Sequence, residues 1–339
     1  MITHYTRAFA ALFLVMNVSA FADPVPSFSE QTNFPIATGF GVVADTLGDG
    51  RFIAYDGTNI WIQDVVGANA YTNVATGYTG DPAIIAVNPD GHTCLVGAGF
   101  FGDLWLFDAD APADAGAPLL TSSSDFFAEW INTTQVVIDR AFFVGPGAFD
   151  FEAELVLLDV STKAPTLKTV VSAKGGASAM CVLDSSLQVI YATDGLTGQT
   201  RTVSVSDIVN AFDTSTPVAW SSLPVFGTFS TGGPGTLTPS RTLIFGGFGE
   251  IQFVDIDSAT LDGAIDPAGT GTYNYLVAYS DVTGVVLGTG AQFSPTFATK
   301  GFVSTTTFDS LPALGGGGVL LLVSALCAVG LRRRTRRTP

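Results

Sequence analysis

The sequence predicts an all-β fold, and two observations carry this prediction. Glycine contributes 38 of the 339 residues, whereas charged residues make up only 13% of the chain. This composition favours short strands and tight turns over long surface helices. In addition, a strand-like motif that ends in aspartate recurs through the middle of the chain. The length allows one large β domain or two smaller ones between the terminal segments.

The recurring motif is a short strand with apolar residues at alternate positions, followed by aspartate. Alternate residues of a strand share one face, so each copy predicts a strand with one buried side. A second apolar segment precedes each copy, and turn signals such as GDGR and NPDGH precede most of those segments. The copies recur every 44 to 54 residues: NIWIQD at Asp64, DLWLFD at Asp108, ELVLLD at Asp159, TVSVSD at Asp207, EIQFVD at Asp255 and STTTFD at Asp309.

A repeat of this length, made of strands and turns, predicts a four-stranded blade. Such a sheet cannot bury both faces alone, but blades stacked in a ring cover one another and leave only short edges. The layout resembles β-propellers of the WD or quinoprotein-like kind. We therefore expect residues 23–310 to form a β-propeller of six four-stranded blades, with residues 34–43 closing the ring as the outermost strand of the last blade. A seventh blade or an irregular β-sandwich remains open.

The first 22 residues predict a cleavable secretory signal. A basic residue, Arg7, precedes an apolar run at residues 8–18 that only Asn17 interrupts. Small residues at Ala20 and Ala22 then form a cleavage site, and we expect cleavage after Ala22 by signal peptidase once the export machinery has engaged the chain. The alternative, a membrane anchor that is retained, is weaker because the apolar run is too short to span a bilayer.

The other end predicts one transmembrane helix. Residues 310–331 carry no charge, and at about 1.5 Å rise per residue they just cross a hydrocarbon core of about 30 Å. An arginine cluster follows directly, and such clusters stay in the cytoplasm, so the ectodomain is expected on the other side of the membrane. The cluster begins with Arg332, Arg333 and Arg334.

The same segment, residues 311–339, resembles the C-terminal sorting signals of exosortase-type systems, especially the IPTL kind. That family has a short proline-containing motif, one helix and an arginine cluster. The matching motif residues are Leu311, Pro312, Ala313, Leu314 and Gly315. The resemblance implies that an exosortase-like peptidase cuts near this motif and passes the ectodomain to the cell surface. An ordinary tail anchor is the alternative.

The charge of the middle segment argues against nucleic acid as a partner. All 30 acidic residues lie between Asp23 and Asp309, together with only eight basic ones, which gives this segment a formal charge of −22. Such a field repels phosphate backbones and anionic lipid, and favours solubility and weak cation binding.

Two motifs that suggest enzyme chemistry have simpler explanations. The glycines Gly97, Gly99 and Gly102 fit a G-x-G-x-x-G pattern, but a strand follows where a dinucleotide site needs a helix, so we interpret them as a hairpin turn. His92 is the single histidine after the signal segment. It lies in a predicted turn, far from any nucleophile motif, and we expect no catalytic role for it.

Cys94 and Cys181 lie in predicted strands, two repeats apart. They are expected to be separate buried thiols, although a disulfide remains open in an oxidising compartment. No metal-binding cysteine spacing occurs in the chain.

Calcium is the cofactor most compatible with the sequence, although no motif in the chain requires a cofactor. Hard cations need several oxygen ligands, and solvated turn aspartates are the competing explanation. The candidate ligands are Asp255, Asp257, Asp262 and Asp266, and a second acidic loop holds Asp108, Asp110 and Asp114. The aspartates that end each repeat are expected to accept hydrogen bonds from turn amides.

Together these features predict an exported, surface-sorted propeller that acts as a non-enzymatic interaction or structural protein of the cell envelope or extracellular matrix. A metal-dependent propeller hydrolase or lactonase is one alternative, because acidic residues can hold a metal near a propeller channel. A membrane-anchored periplasmic binding protein is another. The ectodomain's ligand is not predicted.

Overall fold

The computed structural model describes residues 26–35, 41–145, 151–174, 178–229, 235–292 and 298–308. The predicted signal peptide and sorting segment lie outside these ranges. Within them the secondary structure is almost entirely β, which confirms the predicted fold class. Strands β1 to β8 are Phe28–Gln31, Val43–Thr46, Phe52–Tyr55, Asn59–Gln63, Tyr71–Thr76, Ile84–Val87, Thr93–Gly97 and Gly99–Asp108. Strands β9 to β16 are Leu120–Trp130, Gln135–Phe143, Phe151–Asp159, Thr166–Ser172, Ser178–Asp184, Val189–Asp194, Gln199–Ser204 and Val218–Ala219. Strands β17 to β24 are Val225–Thr228, Gly235–Leu237, Thr242–Gly246, Ile251–Asp255, Thr260–Ile265, Tyr273–Ser280, Val285–Gln292 and Thr299–Ser304.

The strands form antiparallel sheets of neighbouring segments. Four sheets have four strands each, in the orders β2-β3-β4-β5, β13-β14-β15-β17, β18-β19-β20-β21 and β22-β23-β24-β1. The fifth has eight strands, β6 to β12 in chain order followed by the short parallel strand β16. Its middle strand, β9, is long: its first half pairs with β8 and its second half, from Asp125 onward, pairs with β10. A single strand therefore joins two groups of strands.

Six of the strands contact one another in a closed ring, and we call them the inner strands. Their order around the ring is β2, β6, β9, β13, β18 and β22, and β22 returns to β2. A hydrogen bond joins β2 and β22, the first and last inner strands: the Thr46 hydroxyl donates to the Tyr279 carbonyl oxygen at 2.9 Å. Closing the ring gives the first and the last sheet a neighbour on each side, so neither is left with an uncovered face.

The core lies between the faces of consecutive sheets. Ile53 and Ile60, from β3 and β4, pack in one buried cluster with Cys94, Val96 and Trp105 from β7 and β8. In another cluster, residues of β19 and β20 pack against residues of β22. Burying apolar surface contributes roughly 25 cal/mol per Å², so each sheet is stabilised by its two neighbours around the ring.

The N-terminal strand closes the ring, but it is not the segment that the sequence indicated. Phe28–Gln31 pairs antiparallel with Thr299–Ser304 as the outermost strand of the last sheet. The prediction that residues 34–43 supply this strand is therefore wrong in position, although closure by the N-terminus is confirmed. Phe34 instead lies buried beside Gly301 and stacks edge-on against Tyr71 at 5.4 Å. Pro35 follows it, and proline cannot donate a ladder hydrogen bond.

A helix replaces part of one predicted strand. The copy that was expected to end at Asp207 ends at Ser204, and helix α1 (Val205–Thr214) begins there. The Ser204 hydroxyl oxygen accepts the Asp207 backbone N–H at 3.0 Å, which is the N-cap arrangement that favours helix initiation. The cap at Ser204 favours a helix here over the strand that the alternating apolar residues predicted. No helix in the described ranges is both long and apolar enough to cross a bilayer.

The last copy of the motif is also displaced. It was expected to be a strand that ends at Asp309, but β24 ends at Ser304. Thr305 and Thr307, the alternate positions before Asp309 in this copy, therefore lie after the strand, and Asp309 lies outside the described residues. This copy has threonine where the other five have an apolar pair, and Phe302 is a buried apolar residue of the observed strand.

Candidate functional site

The inner strands surround a cavity of about 510 Å³. All six inner strands contribute residues to its wall, so the cavity is the central channel of the ring. Polar groups supply more of the exposed surface of the wall than apolar groups do. The polar residues of the wall are Asp45, Thr46, Asn88, Glu129, Cys181, Ser185, Thr236, Tyr279 and Asp281.

The turns that follow the inner strands gather at one face of the ring. Hydrogen bonds connect these turns from one sheet to the next: Gly48 N–H to the Gly91 carbonyl at 2.8 Å, Asn88 Nδ2 to the Thr133 carbonyl at 3.0 Å, and Arg241 Nη1 to Asp184 Oδ2 at 3.2 Å. Because neighbouring strands in these sheets run antiparallel, the next turn along each sheet lies at the opposite face. The molecule therefore has two faces built from different sets of turns.

Asp45 ties two inner strands together inside the channel. Its Oδ2 accepts the Val87 backbone N–H at 2.7 Å, and its Oδ1 accepts the Thr46 N–H at 2.7 Å. Burial raises the pKa of Asp45 to about 6 and the charge of Asp281 adds to this, although the two backbone hydrogen bonds oppose the rise. Asp45 thus acts as a link between β2 and β6 whose charge changes near neutral pH.

Glu129 is the second acidic group of the channel. It lies near the end of β9, in the half of that strand that belongs to the ring. Burial raises the pKa of Glu129 well above its usual range, and the negative charge of Asp45 raises it further. Both effects favour the protonated form of Glu129, and in that form its side chain can donate a hydrogen bond.

The raised pKa of Asp45 predicts a pH-dependent stability. The folded state binds this proton more tightly than the unfolded chain, whose ordinary pKa is 3.8. The linked stabilisation is therefore complete below pH about 4 and is lost as the pH rises through about 6. Urea unfolding across this range should show the wild type losing stability relative to Asp45→Asn. Parallel pH profiles of the two proteins would contradict the assignment.

Exposed apolar side chains occupy the face opposite the turns described above. They lie in or next to the connections β7–β8, β10–β11, β14–β15 and β19–β20, each of which joins the first and second strands after an inner strand. Phe101 and Phe248 are 69% and 65% exposed. We call this set the apolar face, and its members are Phe100, Phe101, Val144, Leu196 and Phe248.

The structure brings His92 into an acidic group that the sequence did not predict. His92 Nδ1 lies 3.2 Å from Asp108 Oδ1, and the ligand atoms of His92, Asp108 and Asp110 all lie within 4.8 Å of one another. Asp108 also accepts the Asp110 backbone N–H at 2.9 Å. The group is on the surface, outside the channel, and its contacts are those of a hydrogen-bonded turn. Asp114 lies elsewhere and accepts the Thr76 N–H at 2.9 Å.

The four predicted calcium ligands each have contacts of their own. Asp255 accepts the Asp257 N–H at 2.8 Å, and Asp257 accepts Arg241 Nε at 2.7 Å. Asp266 accepts the Tyr275 hydroxyl at 2.5 Å and the Gly271 N–H at 2.6 Å. Asp262 is exposed on β21. These four are not among the described residues whose ligand atoms converge, so calcium binding here stays a prediction.

Several smaller predictions can be compared with the geometry. Cys94 and Cys181 are both buried free thiols, as expected. The segment at Gly97 and Gly99 forms the β7–β8 hairpin turn, and both glycines have positive φ, which confirms the turn interpretation. The repeat aspartates Asp108, Asp159 and Asp255 each accept the backbone N–H two residues later. In the first copy, Asp64 Oδ1 instead accepts a hydrogen bond from the Thr72 hydroxyl at 2.7 Å.

Comparison with known proteins shows the fold and no family. No protein-family model matches the chain, and no curated protein matches its sequence. Solved structures do match over most of its length. The β-propeller domain of Cps50 (Swd1) from Myceliophteria thermophila has a TM-score of 0.52 and 11% identity, and the match covers 83% of this chain and 100% of that one.

Two further similar structures are enzymes. A luciferin-regenerating enzyme has a TM-score of 0.62 and 11% identity, with 83% of this chain and 96% of that chain covered. The gluconolactonase XC5397 from Xanthomonas campestris has a TM-score of 0.58 and 10% identity, with 81% of this chain and 88% of that chain covered. At such low identity, these similarities are evidence for the fold and not for a shared function. Together with the closed ring of inner strands, they establish that this chain has a β-propeller fold.

Proposed function

We propose that this protein is an exported, surface-sorted propeller of six blades that acts as a non-enzymatic interaction or structural protein of the cell envelope or extracellular matrix. The six inner strands support the blade count. In this assignment the eight-stranded sheet is two blades, because β9 is the outer strand of one blade in its first half and the inner strand of the next in its second half.

The observation that carries the interaction role is the apolar face. Exposed apolar side chains gathered on one face of a protein favour a binding role for that face, and aromatic residues dominate the energy of such contacts. The five side chains lie in or next to connections of four consecutive blades in this assignment. Phe100 also packs edge-on against Phe126 at 4.7 Å, which holds one aromatic pair in place before any partner binds.

The channel supports a structural role more directly than a catalytic one. Both carboxylate oxygens of Asp45 accept backbone amides, and the bond from the Val87 N–H joins two blades. The alternative of a metal-dependent hydrolase has one observation in its favour, since the carboxyl groups of Asp45, Glu129 and Asp281 all lie on the channel wall. A stoichiometric, chelator-sensitive metal in the purified protein, with hydrolytic activity that depends on it, would favour that alternative.

The route to the surface rests on the two ends of the chain. We infer removal of residues 1–22 by signal peptidase, temporary residence of residues 310–331 in the inner membrane, and cleavage near residues 311–315 by an exosortase-like peptidase. The arginines from Arg332 onward would stay on the cytoplasmic side. Retention of the C-terminal segment would instead favour a membrane-anchored periplasmic binding protein.

One experiment tests export and interaction together. Producing cells are fractionated, and the amount and intact mass of the protein are measured on the surface and in the medium. We expect wild-type protein on the surface, with a mass that lacks both terminal segments. The double variant Phe101→Asn, Phe248→Ser should be released into the medium, because the apolar face is lost. Asparagine suits the positive φ of Phe101.

The matched control is Val65→Ser, Val66→Ser, which removes two exposed apolar side chains elsewhere on the propeller and should leave the surface fraction unchanged. Equal surface retention of the wild type and the Phe101/Phe248 variant would contradict the interaction role. Untrimmed wild-type protein in the cytosol would contradict export, independently of the variants.

A further inference from the structure

A lysine and an aspartate meet inside the protein where two consecutive blades pack together. Lys174 Nζ donates a hydrogen bond to Asp139 Oδ2, and both side chains are fully buried. The backbone N–H of Lys174 donates to the Ala153 carbonyl at 2.9 Å, which fixes the start of the lysine side chain. Asp139 lies on β10 and Lys174 lies two residues after β12.

A second carboxyl group lies on the same sheet face as this pair. Val137 is opposite Glu129, and Asp139 is opposite Phe127, in the antiparallel pairing of β9 and β10. Glu129 and Asp139 are therefore diagonal neighbours, a separation that long side chains span. Asp139, Glu129 and Lys174 all act electrostatically on the thiol of Cys181, which lies on β13 of the next blade. The four side chains thus form one cluster.

The cluster is in apolar surroundings on one side and open to the channel on the other. Cys181 belongs to a buried apolar group that also includes Val137, Leu155 and Val171. Glu129 and Cys181 both line the channel cavity. Burial raises the pKa of Glu129 well above its usual range. A carboxyl group that binds its proton more tightly than usual therefore shares the sheet face of the buried amine–carboxyl pair and lines the channel.

We propose that Lys174 and Asp139 become joined by an intramolecular amide bond, with Glu129 as the group that moves the protons. A buried ion pair is poorly compensated for the loss of hydration of its two charges. In the proposed step, Nζ first passes its proton to the carboxylate, which gives the neutral amine and the carboxylic acid that condensation requires. Reacting groups fixed in contact have effective concentrations of about 10⁵ M or more, so condensation becomes feasible without an activating cofactor.

The step balances without an added reagent. The Nζ lone pair attacks Cγ of the Asp139 carboxylic acid, and an N–C bond forms. Glu129 donates its proton to the departing hydroxyl and takes the proton released by the nitrogen. The Cγ–O bond breaks, one water molecule leaves through the channel, and Glu129 is again protonated. The product is a neutral amide that crosslinks the strands on either side of β11.

The test is peptide mass analysis of the full-length protein, denatured and digested with trypsin and a glutamate-specific protease. We expect a branched peptide in which residues 130–140 are joined to residues 169–201, with a mass lower by one water molecule than the sum of the two. Trypsin should not cut after Lys174. If the wild-type protein gives a linear peptide that ends at Lys174 and no branched peptide, the proposal is overturned without any variant.

Three variants separate the crosslink from mere packing. Asp139→Asn should give the same branched peptide with loss of ammonia instead of water, and Lys174→Met should give none. Glu129→Gln keeps the shape of the side chain but should slow formation by about 100-fold or more, seen as a smaller branched fraction at a fixed time. The substitution removes the cleavage site after residue 129, so its branched peptide contains residues 52–140 in place of residues 130–140. Lys163→Arg, at an exposed lysine, should leave the yield unchanged. Unchanged yield in Glu129→Gln would overturn the role of Glu129.

Discussion

Replacement of Arg140 by alanine is expected to lower the free energy of unfolding by about 3–5 kcal/mol. Arg140 Nε donates to Asp125 Oδ1 at 2.7 Å and Nη2 donates to Oδ2 at 3.3 Å, while the Asp125 side chain is fully buried. The substitution leaves a buried carboxylate without its cation. The two residues face each other across β9 and β10, so the penalty falls at the point where β9 changes its pairing partner from β8 to β10.

The matched control is Arg51→Ala. Arg51 also makes a close ion pair, with Asp49 at 2.6 Å, but the carboxylate is half exposed, and such surface pairs contribute about 0–1 kcal/mol. Urea unfolding of the wild type and both variants measures the difference. Equal losses for Arg51→Ala and Arg140→Ala would show that burial of Asp125 does not decide the effect.

Gly246→Ala is expected to lower the free energy of unfolding by about 3 kcal/mol, at the upper end of overpacking effects. A Cβ at this position would lie 1.8 Å from the Tyr275 carbonyl oxygen and 2.3 Å from its carbon. These are backbone atoms of β22, so no side-chain rotation relieves the overlap. Relief requires β19 to move away from the inner strand β22. The neighbouring residues of β19, Ile244 and Phe245, are fully buried and would lose packing.

Gly116→Ala is the control for this second variant, because no atom lies within 4 Å of its added Cβ. We expect a change of about 0.5 kcal/mol or less. Thermal unfolding of the two variants beside the wild type provides the comparison. If Gly246→Ala unfolds with the wild type, the close approach of β19 to β22 is not as tight as described.

Much of the β architecture was predictable because its causes are local. The strand Ile251–Asp255, for example, has alternating apolar residues and ends in an aspartate that accepts the backbone N–H two residues later. The errors were also local in origin: Ser204 and Asp207 form a helix cap within a strand-like pattern. By contrast, the placement of Phe28–Gln31 depends on pairing with the far end of the chain, and a four-residue strand has little pattern to read.

The candidate site was less predictable, since it exists only when distant strands meet. Asp45, Glu129 and Asp281 come from three separate blades, and nothing in their flanking residues indicates that they share a channel. Lys174 lies between alanine and glycine, a setting typical of an exposed loop lysine, yet it is fully buried. Burial of these groups depends on tertiary packing, which spacing and composition do not encode.

The pairing of β1 with β24 also determines when folding can finish. Ser29 and Val303 face each other although 274 residues separate them, so this contact is among the most non-local that the chain could make. In the proposed export, β1 crosses the membrane first and β24 last. The backbone groups of β1 therefore hydrogen-bond to water, and the last sheet keeps an open edge, until almost the entire described part of the chain has crossed.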